Sequence, residues 1–349
     1  MRAFRTLLVA GGALGLLVLV YYVGAESVAS ALARITWWQF GLVCLLFGVN
    51  LAVDTLGWQY TLPRDRAPFH KLLAARCAGE AVNVLTALAS VGGEAMKAWL
   101  LRFEIPYEES IPSLILAKTA EVIAQVLLLA VAIVAAVTVG TIGSPLLTAM
   151  GYLLVVEVIA VGGFLGVQLA GVVARAGRML GPIGGNGLHH AQRLDEALRG
   201  FYRYEWRRFL LSVGSHFVGW MLGTVEALLI LASLGLSGSL VIATVVEALW
   251  SSVRFATFFV PASLGPLEGA NAAAFGVLGF TATAGLAFTL VRRARQVVWI
   301  AVGVVVLMAM RSTRSLGTRA PAAARSPQTG ASRVREEIGA GPLGPSAAA

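Results

Sequence analysis

An all-α polytopic membrane fold is what this chain predicts, with six full transmembrane helices and two broken, re-entrant helical hairpins set as an inverted repeat. Three observations predict it. Hydrophobic residues make up 58% of the 349 and charged residues 13%, with a mean hydropathy of +0.79. No water-soluble domain of that length has a use for so much apolar sequence. The apolar residues fall in runs of about 20, the length that crosses the hydrocarbon core of a bilayer as a helix. Two further apolar stretches are interrupted by glycine, proline and carboxylate, which makes them poor spans and good linings for a polar cavity.

In chain order, the first span is Leu7–Val23, behind Arg2 and Arg5. The Val23-Gly24-Ala25 that follows resembles a signal-peptidase site, but the apolar run exceeds a signal-peptide core, so an uncleaved span is expected. Trp38–Tyr60 is the second span. Gly79–Leu100 is the first broken segment, with Gly92-Gly93-Glu94 as its interruption. Ile111–Val139, Leu147–Val173 and Phe209–Leu234 are the next three spans. Leu240–Phe280, carrying Pro261, Gly265-Pro266 and Glu268, is the second broken segment, and Gly285–Met310 closes the membrane domain.

That domain is expected over 1–310, with repeat halves at about 37–139 and 208–310. Within the cytoplasmic loop 174–207, Gly181–Gly187 reads as a linker and His189–Arg203 as an amphipathic surface helix. The tail, 311–349, is basic and rich in Ala, Gly, Pro and Ser, and is expected to be disordered.

The chain carries a net charge of +9, which raises nucleic acid as a partner. The arginines instead cluster in short segments between spans, where they orient helices and meet anionic lipid. All these clusters fall on one side of the predicted topology. The other side shows only Arg34, beside Trp37 and Trp38. Both termini are therefore expected in the cytoplasm of a bacterial inner membrane. Trp58 and Trp99 also read as interfacial belt residues. Two cysteines and four histidines make neither a disulfide framework nor a metal motif, so no metal or cofactor is expected.

Charges inside spans cost roughly 2.5–3.5 kcal/mol each and need partners or a wet cavity. Lys118 and Glu121 stand one helical turn apart and are expected to pair, with a substrate-binding role for Glu121 equally open. Arg292, Arg293 and Arg295 have only Glu268 suggested nearby, so one is expected to snorkel to the outer interface and the others to seek an external anion such as a lipid phosphate, together with Lys118 and Arg254. Glu94 and Glu268, at the glycine breaks, would bind a cationic group or a proton, or cap a broken helix end. Asp54 reads as glue between helices. Glu157 and Glu226 have no partner nearby in sequence and receive no role.

The halves can be overlaid. Ser90-Val-Gly-Gly-Glu94 matches Ser263-Leu-Gly-Pro-Leu-Glu268, and Lys118 and Arg292 each follow their glutamate by 24 residues. The same offset sets Glu121 against Arg295 and Glu80 against Arg254. Counting spans makes the halves antiparallel, with Lys118 in the inner part of the membrane and Arg292 in the outer part. That is the architecture of alternating access.

Gly79-Glu80-Ala81-Val82-Asn83 and Ser90-Val91-Gly92-Gly93-Glu94, followed by Lys97 and Leu100-Leu101-Arg102, resemble the lysylphosphatidylglycerol synthase transmembrane, or flippase-like, family. Pro261-Ala-Ser-Leu-Gly-Pro-Leu-Glu268-Gly269-Ala270 looks like its second signature, with Gly265-Pro266-Leu267 where the pattern usually shows Gly-hydrophobic-Arg. The resemblance spans roughly Leu7–Met310. It implies translocation of a phospholipid or isoprenoid-type lipid, and it adds Glu80, Asn83 and Lys97 to the substrate-binding candidates. The expected partner is a membrane lipid with an anionic or zwitterionic headgroup, with a homo-oligomer or a lipid-synthesis enzyme as further possibilities. With no aminoacyl-transferase domain after Met310, the synthase activity is expected to be absent, and with no Asp-Asp-x-x-Asp cluster or His nucleophile in the sequence the chain is not expected to be an enzyme. The rival readings are an enzyme acting on a lipid headgroup or polyprenyl phosphate, and a non-transporting scaffold.

Overall fold

A computed structural model describes residues 25–63, 67–85, 91–140, 142–172, 175 and 185–317. The chain divides into two units, Met1–Met308 and Ala309–Ala349. All regular structure among the described residues is helical. The helices are α1 Ala25–Leu32, α2 Trp37–Thr61, α3 Phe69–Leu85, α4 Val91–Leu101, α5 Tyr107–Val139, α6 Ser144–Ala170, α7 Gly185–Tyr204, α8 Trp206–Ser233, α9 Leu240–Ala256, α10 Pro266–Val277 and α11 Ala282–Gly317. A 3₁₀ turn at Pro261–Ser263 separates α9 from α10.

Five of these, α2, α5, α6, α8 and α11, are long and apolar enough to cross a membrane. They coincide with five of the six expected spans. The sixth, Leu7–Val23, lies outside the described residues, as do most of the Gly181–Gly187 linker and the tail from 318 onward. Helix α11 runs on to Gly317, so the start of the expected disordered tail is helical.

Many of these residues are β-branched and poor helix formers in water. In hydrocarbon the backbone has no other way to satisfy its polar groups, so the helix wins. Helix ends follow local chemistry. Gln39 Oε1 accepts the Thr36 amide at 2.9 Å where α2 starts, and Gly140, at φ 68°, ends α5 in the left-handed conformation.

The two broken segments each form a 17-residue helix followed by one of 11 or 12 residues. At 1.5 Å per residue these are about 25 Å and about 17 Å long, short of the ~30 Å hydrocarbon core. The break in the first segment is not at Gly92-Gly93-Glu94 as expected, because those residues lie inside α4. Gly93 is there for close approach. A Cβ on it would sit 2.3 Å from the Gly79 carbonyl oxygen and 2.2 Å from Asn83 Oδ1, so only glycine lets α4 meet α3. In the second segment Gly265, at φ 89°, precedes Pro266 at the first helical position, and Glu268 Oε2 accepts the Gly265 amide at 2.7 Å.

Helix α8 packs along α2 and also meets α5 and α9. Small residues hold the α2–α8 seam close: Ser212 Oγ donates to the Gly57 carbonyl at 2.8 Å and Ser215 Oγ to the Val53 carbonyl at 2.7 Å. One apolar core gathers Val43, Ile230, Trp250, Leu267, Phe275 and Phe288, and another joins α5, α6 and α9 through Leu128, Met150 and Leu249. Trp299 on α11 donates to the Cys44 carbonyl at 3.1 Å, tying α11 to α2.

Helix α7 contains the amphipathic run His189–Arg203. It packs on α5, α6 and α8, with Asp195 and Leu198 buried. Tyr202 donates to Gln168 Oε1 at 2.8 Å, and burial pushes its phenol up to a pKa of about 12.

Candidate functional site

A cavity of about 260 Å³ opens where α2, α3, α5, α8, α9 and α11 converge on the 3₁₀ turn. The first hairpin and the helix after it supply Glu80 and Asn83 on α3, and Lys118, Glu121 and Gln125 on α5. The second half supplies Arg254 on α9 with Arg292, Arg293, Arg295 and Gln296 on α11. Aromatic rings fill the gaps between these polar groups, among them Phe47, Trp220, Trp250, Phe258 and Trp299. Five cations and two carboxylates thus share one chamber with apolar sides, the composition of a site for an amphiphile.

On the first side, Lys118 Nζ reaches Glu121 at 3.0 Å, the expected pair. Behind Glu80, the buried Lys97 Nζ lies 3.3 Å from Glu80 and 2.8 Å from Glu94. Asn83 Oδ1 accepts the Gly93 amide at 2.7 Å, closing the hairpin. Asp54 is the expected glue: it holds Arg76 at 3.1 Å and His216 at 2.9 Å, joining α2, α3 and α8.

On the second side the expectation fails. Arg292, Arg293 and Arg295 do not await an external anion, because buried carboxylates already neutralise them. Arg292 pairs with Glu247 and lies 3.4 Å from Glu226; Arg295 pairs with Glu226; Arg293 meets Glu268 at 2.9 Å. Trp250 and Phe288 lie against the Arg292 guanidinium at 4.8 and 4.9 Å, and Phe47 against Arg295 at 4.1 Å. Packing the guanidinium groups between rings and carboxylates is what makes three arginines tolerable at this depth. Arg254 differs. It is exposed on the cavity wall and has no carboxylate within 4 Å among the described residues.

Seven of the ten predicted residues therefore line one cavity: Glu80, Asn83, Lys118, Glu121, Arg254, Arg292 and Arg295. Glu94, Lys97 and Glu268 stand behind the wall as partners and caps. Lys118 and Arg292, expected at two depths, face the same chamber. Each lies 10 or 11 residues from the start of its helix, about 15 Å along it.

Sequence reasoning missed Glu226 and Glu247, the carboxylates that hold the arginines, as well as Gln125. The usable signal was Arg292 and Arg295 at i and i+3, two cations on one helix face that need acids from another helix. Trp58 is not a belt residue; it is buried, with Nε1 donating to Ser113 Oγ at 3.3 Å. Among the described residues no group of His, Cys, Asp and Glu is arranged to hold a metal.

A model of the family described as the lysylphosphatidylglycerol synthase TM region matches residues 6–304. Neither a curated protein nor a solved structure gives a match to this chain.

Proposed function

We propose that this chain, which belongs to the lysylphosphatidylglycerol synthase transmembrane-region family, is a carrier that moves a phospholipid or isoprenoid-type lipid between the leaflets of a bacterial inner membrane. It is a carrier and not an enzyme, and both termini are cytoplasmic. One observation carries the reading: residues singled out from two distant stretches of sequence line a single charged cavity with aromatic walls. A headgroup is polar and its chains are not, and this chamber offers both environments side by side.

The division of labour follows from which charges are free. Arg292, Arg293 and Arg295 are matched by Glu226, Glu247 and Glu268, so they form a fixed polar wall. Among the described residues on the cavity wall, Arg254 is a cation with no carboxylate partner, and it takes the headgroup phosphate. Glu80 and Glu121 retain exposed carboxylate surface, 36% and 24% of the side chain, and take the cationic part of a zwitterionic headgroup.

Element lengths support an inverted repeat around this cavity. Helices of 25, 17, 11 and 33 residues in the first half run against 28, 17, 12 and 36 in the second. Read as re-entrant hairpins entering from opposite faces, α3–α4 brings Glu80 and Asn83 to the chamber and α9–α10 brings the 3₁₀ turn, the pairing alternating access calls for.

The test is exchange of headgroup-labelled lipids in reconstituted liposomes. Arg254→Ala and Glu80→Gln are each expected to slow exchange about tenfold, the worth of one charge-assisted hydrogen bond. Undiminished exchange in both variants sinks the reading. Chemical conversion of the lipid without exchange would favour an enzyme, and neither activity would leave a scaffold.

A further inference from the structure

Seven acids inside the spans and hairpins, Asp54, Glu80, Glu94, Glu121, Glu226, Glu247 and Glu268, each have a lysine or arginine within 4 Å. Glu157 does not. It lies on α6 with 1% of its surface exposed, and no cation reaches it among the described residues. It is residue 14 of 27 in that helix, about 20 Å from either end, which places it at the middle of any bilayer α6 crosses. Its contacts are neutral. Gln125 Nε2 donates to Oε1 at 3.1 Å from α5, and the Ser252 hydroxyl acts on it from α9. Neither Oε2 nor Ser252 Oγ has a full hydrogen bond.

An ionised carboxylate in that setting carries a desolvation cost that one amide donor does not offset. A protonated one loses most of that cost, and both Oε2 and the Ser252 hydroxyl are left without a partner. The site is also connected. Gln125, the residue on Oε1, lines the lipid cavity, and so does Ser251 beside Ser252. A change that lets water reach Gln125 exposes the carboxyl and favours loss of its proton, and closure restores it.

We propose that Glu157 is a proton-binding site, loaded when the chamber is closed and discharged through Gln125 when it opens, so that lipid movement is coupled to a proton gradient. The coupling rests on the carrier reading above; proton occupancy of Glu157 does not.

The ionisable groups on the helices packed against α6 leave the site to Glu157. On α5, Glu121 lies one turn from Gln125 and is held by Lys118. On α9, Glu247 lies five residues before Ser252 and is held by Arg292, while Arg254 faces the cavity. On α7, Tyr202 bonds Gln168, 11 residues from Glu157 along α6, and Asp195 and Arg199 sit by Gly171 beyond the helix end.

The experiment compares exchange of headgroup-labelled lipid in proteoliposomes with and without an imposed gradient of one pH unit, for the full chain and for Glu157→Gln and Glu157→Asp. At one proton per lipid the gradient is expected to bias wild-type exchange by up to about tenfold. Glu157→Gln, nearly isosteric, is expected to show a ratio near one, and Glu157→Asp, which still titrates, a ratio above one. A purely structural Glu157 would leave the Gln ratio at the wild-type value, which overturns the proposal. Wild-type exchange that ignores the gradient overturns it too and leaves the carrier reading standing. Absence of wild-type exchange defeats the carrier reading and the coupling with it. Infrared spectroscopy of the purified protein then decides the proton site: a protonated-carboxyl C=O band at neutral pH that vanishes in Glu157→Gln supports it, and no such band refutes it.

Discussion

Around the first hairpin a single lysine, Lys97, serves Glu80 and Glu94, whose side chains remain 36% and 26% exposed. Around the second, three arginines are held by Glu226, Glu247 and Glu268, exposed 5% or less. The backbones of the two hairpins have nearly the same lengths, so the contrast is electrostatic. Charges separated in water lose little, whereas charges separated at low effective dielectric lose several times more. The second half is therefore a rigid frame, and the first is the half whose polar groups can exchange partners at small cost. On the carrier reading proposed above, a headgroup in the chamber would compete with Lys97 and Lys118 for exposed carboxylates, but not with Glu226 for Arg295.

The largest test of that contrast is Glu226→Ala. It strips the carboxylate from Arg295 and one of two from Arg292, and leaving a buried charge unpaired is expected to cost about 3–5 kcal/mol. Thermal unfolding of the detergent-purified protein measures it, and a near-normal melting temperature would show the frame to be less rigid than its geometry implies. Next comes Gly93→Ala. Its methyl group would meet the Gly79 carbonyl and Asn83, pushing α4 off α3 at an expected cost of about 1–3 kcal/mol. The same melting assay applies, with a loss of lipid exchange that exceeds the loss of folded protein. The smallest is Lys97→Met, which keeps the length of the side chain. Water can still reach both glutamates, so about 1 kcal/mol is expected. If Lys97→Met proved as damaging as Glu226→Ala, the difference between the two halves would vanish.

The site was legible where partners are close in sequence. Lys118–Glu121 and Glu94–Lys97 are three residues apart on one helix, and helical periodicity alone brings such residues together. The glycines of the first hairpin were visible but misread: Gly92-Gly93 looked like a helix break, yet both lie in α4 and Gly93 is a helix contact, because closeness to a second helix leaves no mark in the local sequence. Glu226 and Glu247 were unassigned for the same reason. They lie 69 and 45 residues from the arginines they hold.

Sequence alone determined the membrane class, the five described spans and the two interrupted segments between them. Hydrocarbon thickness and the need to satisfy every backbone polar group act on each stretch of chain separately, so composition over about 20 residues is enough. Among the described residues, tertiary structure decided which charges are neutralised and which stay free: Arg254 open to the chamber, Arg292 and Arg295 closed off, Glu157 without a counter-charge. Those outcomes depend on which helix faces stack, and the forces that stack them are short-ranged contacts between residues far apart along the chain.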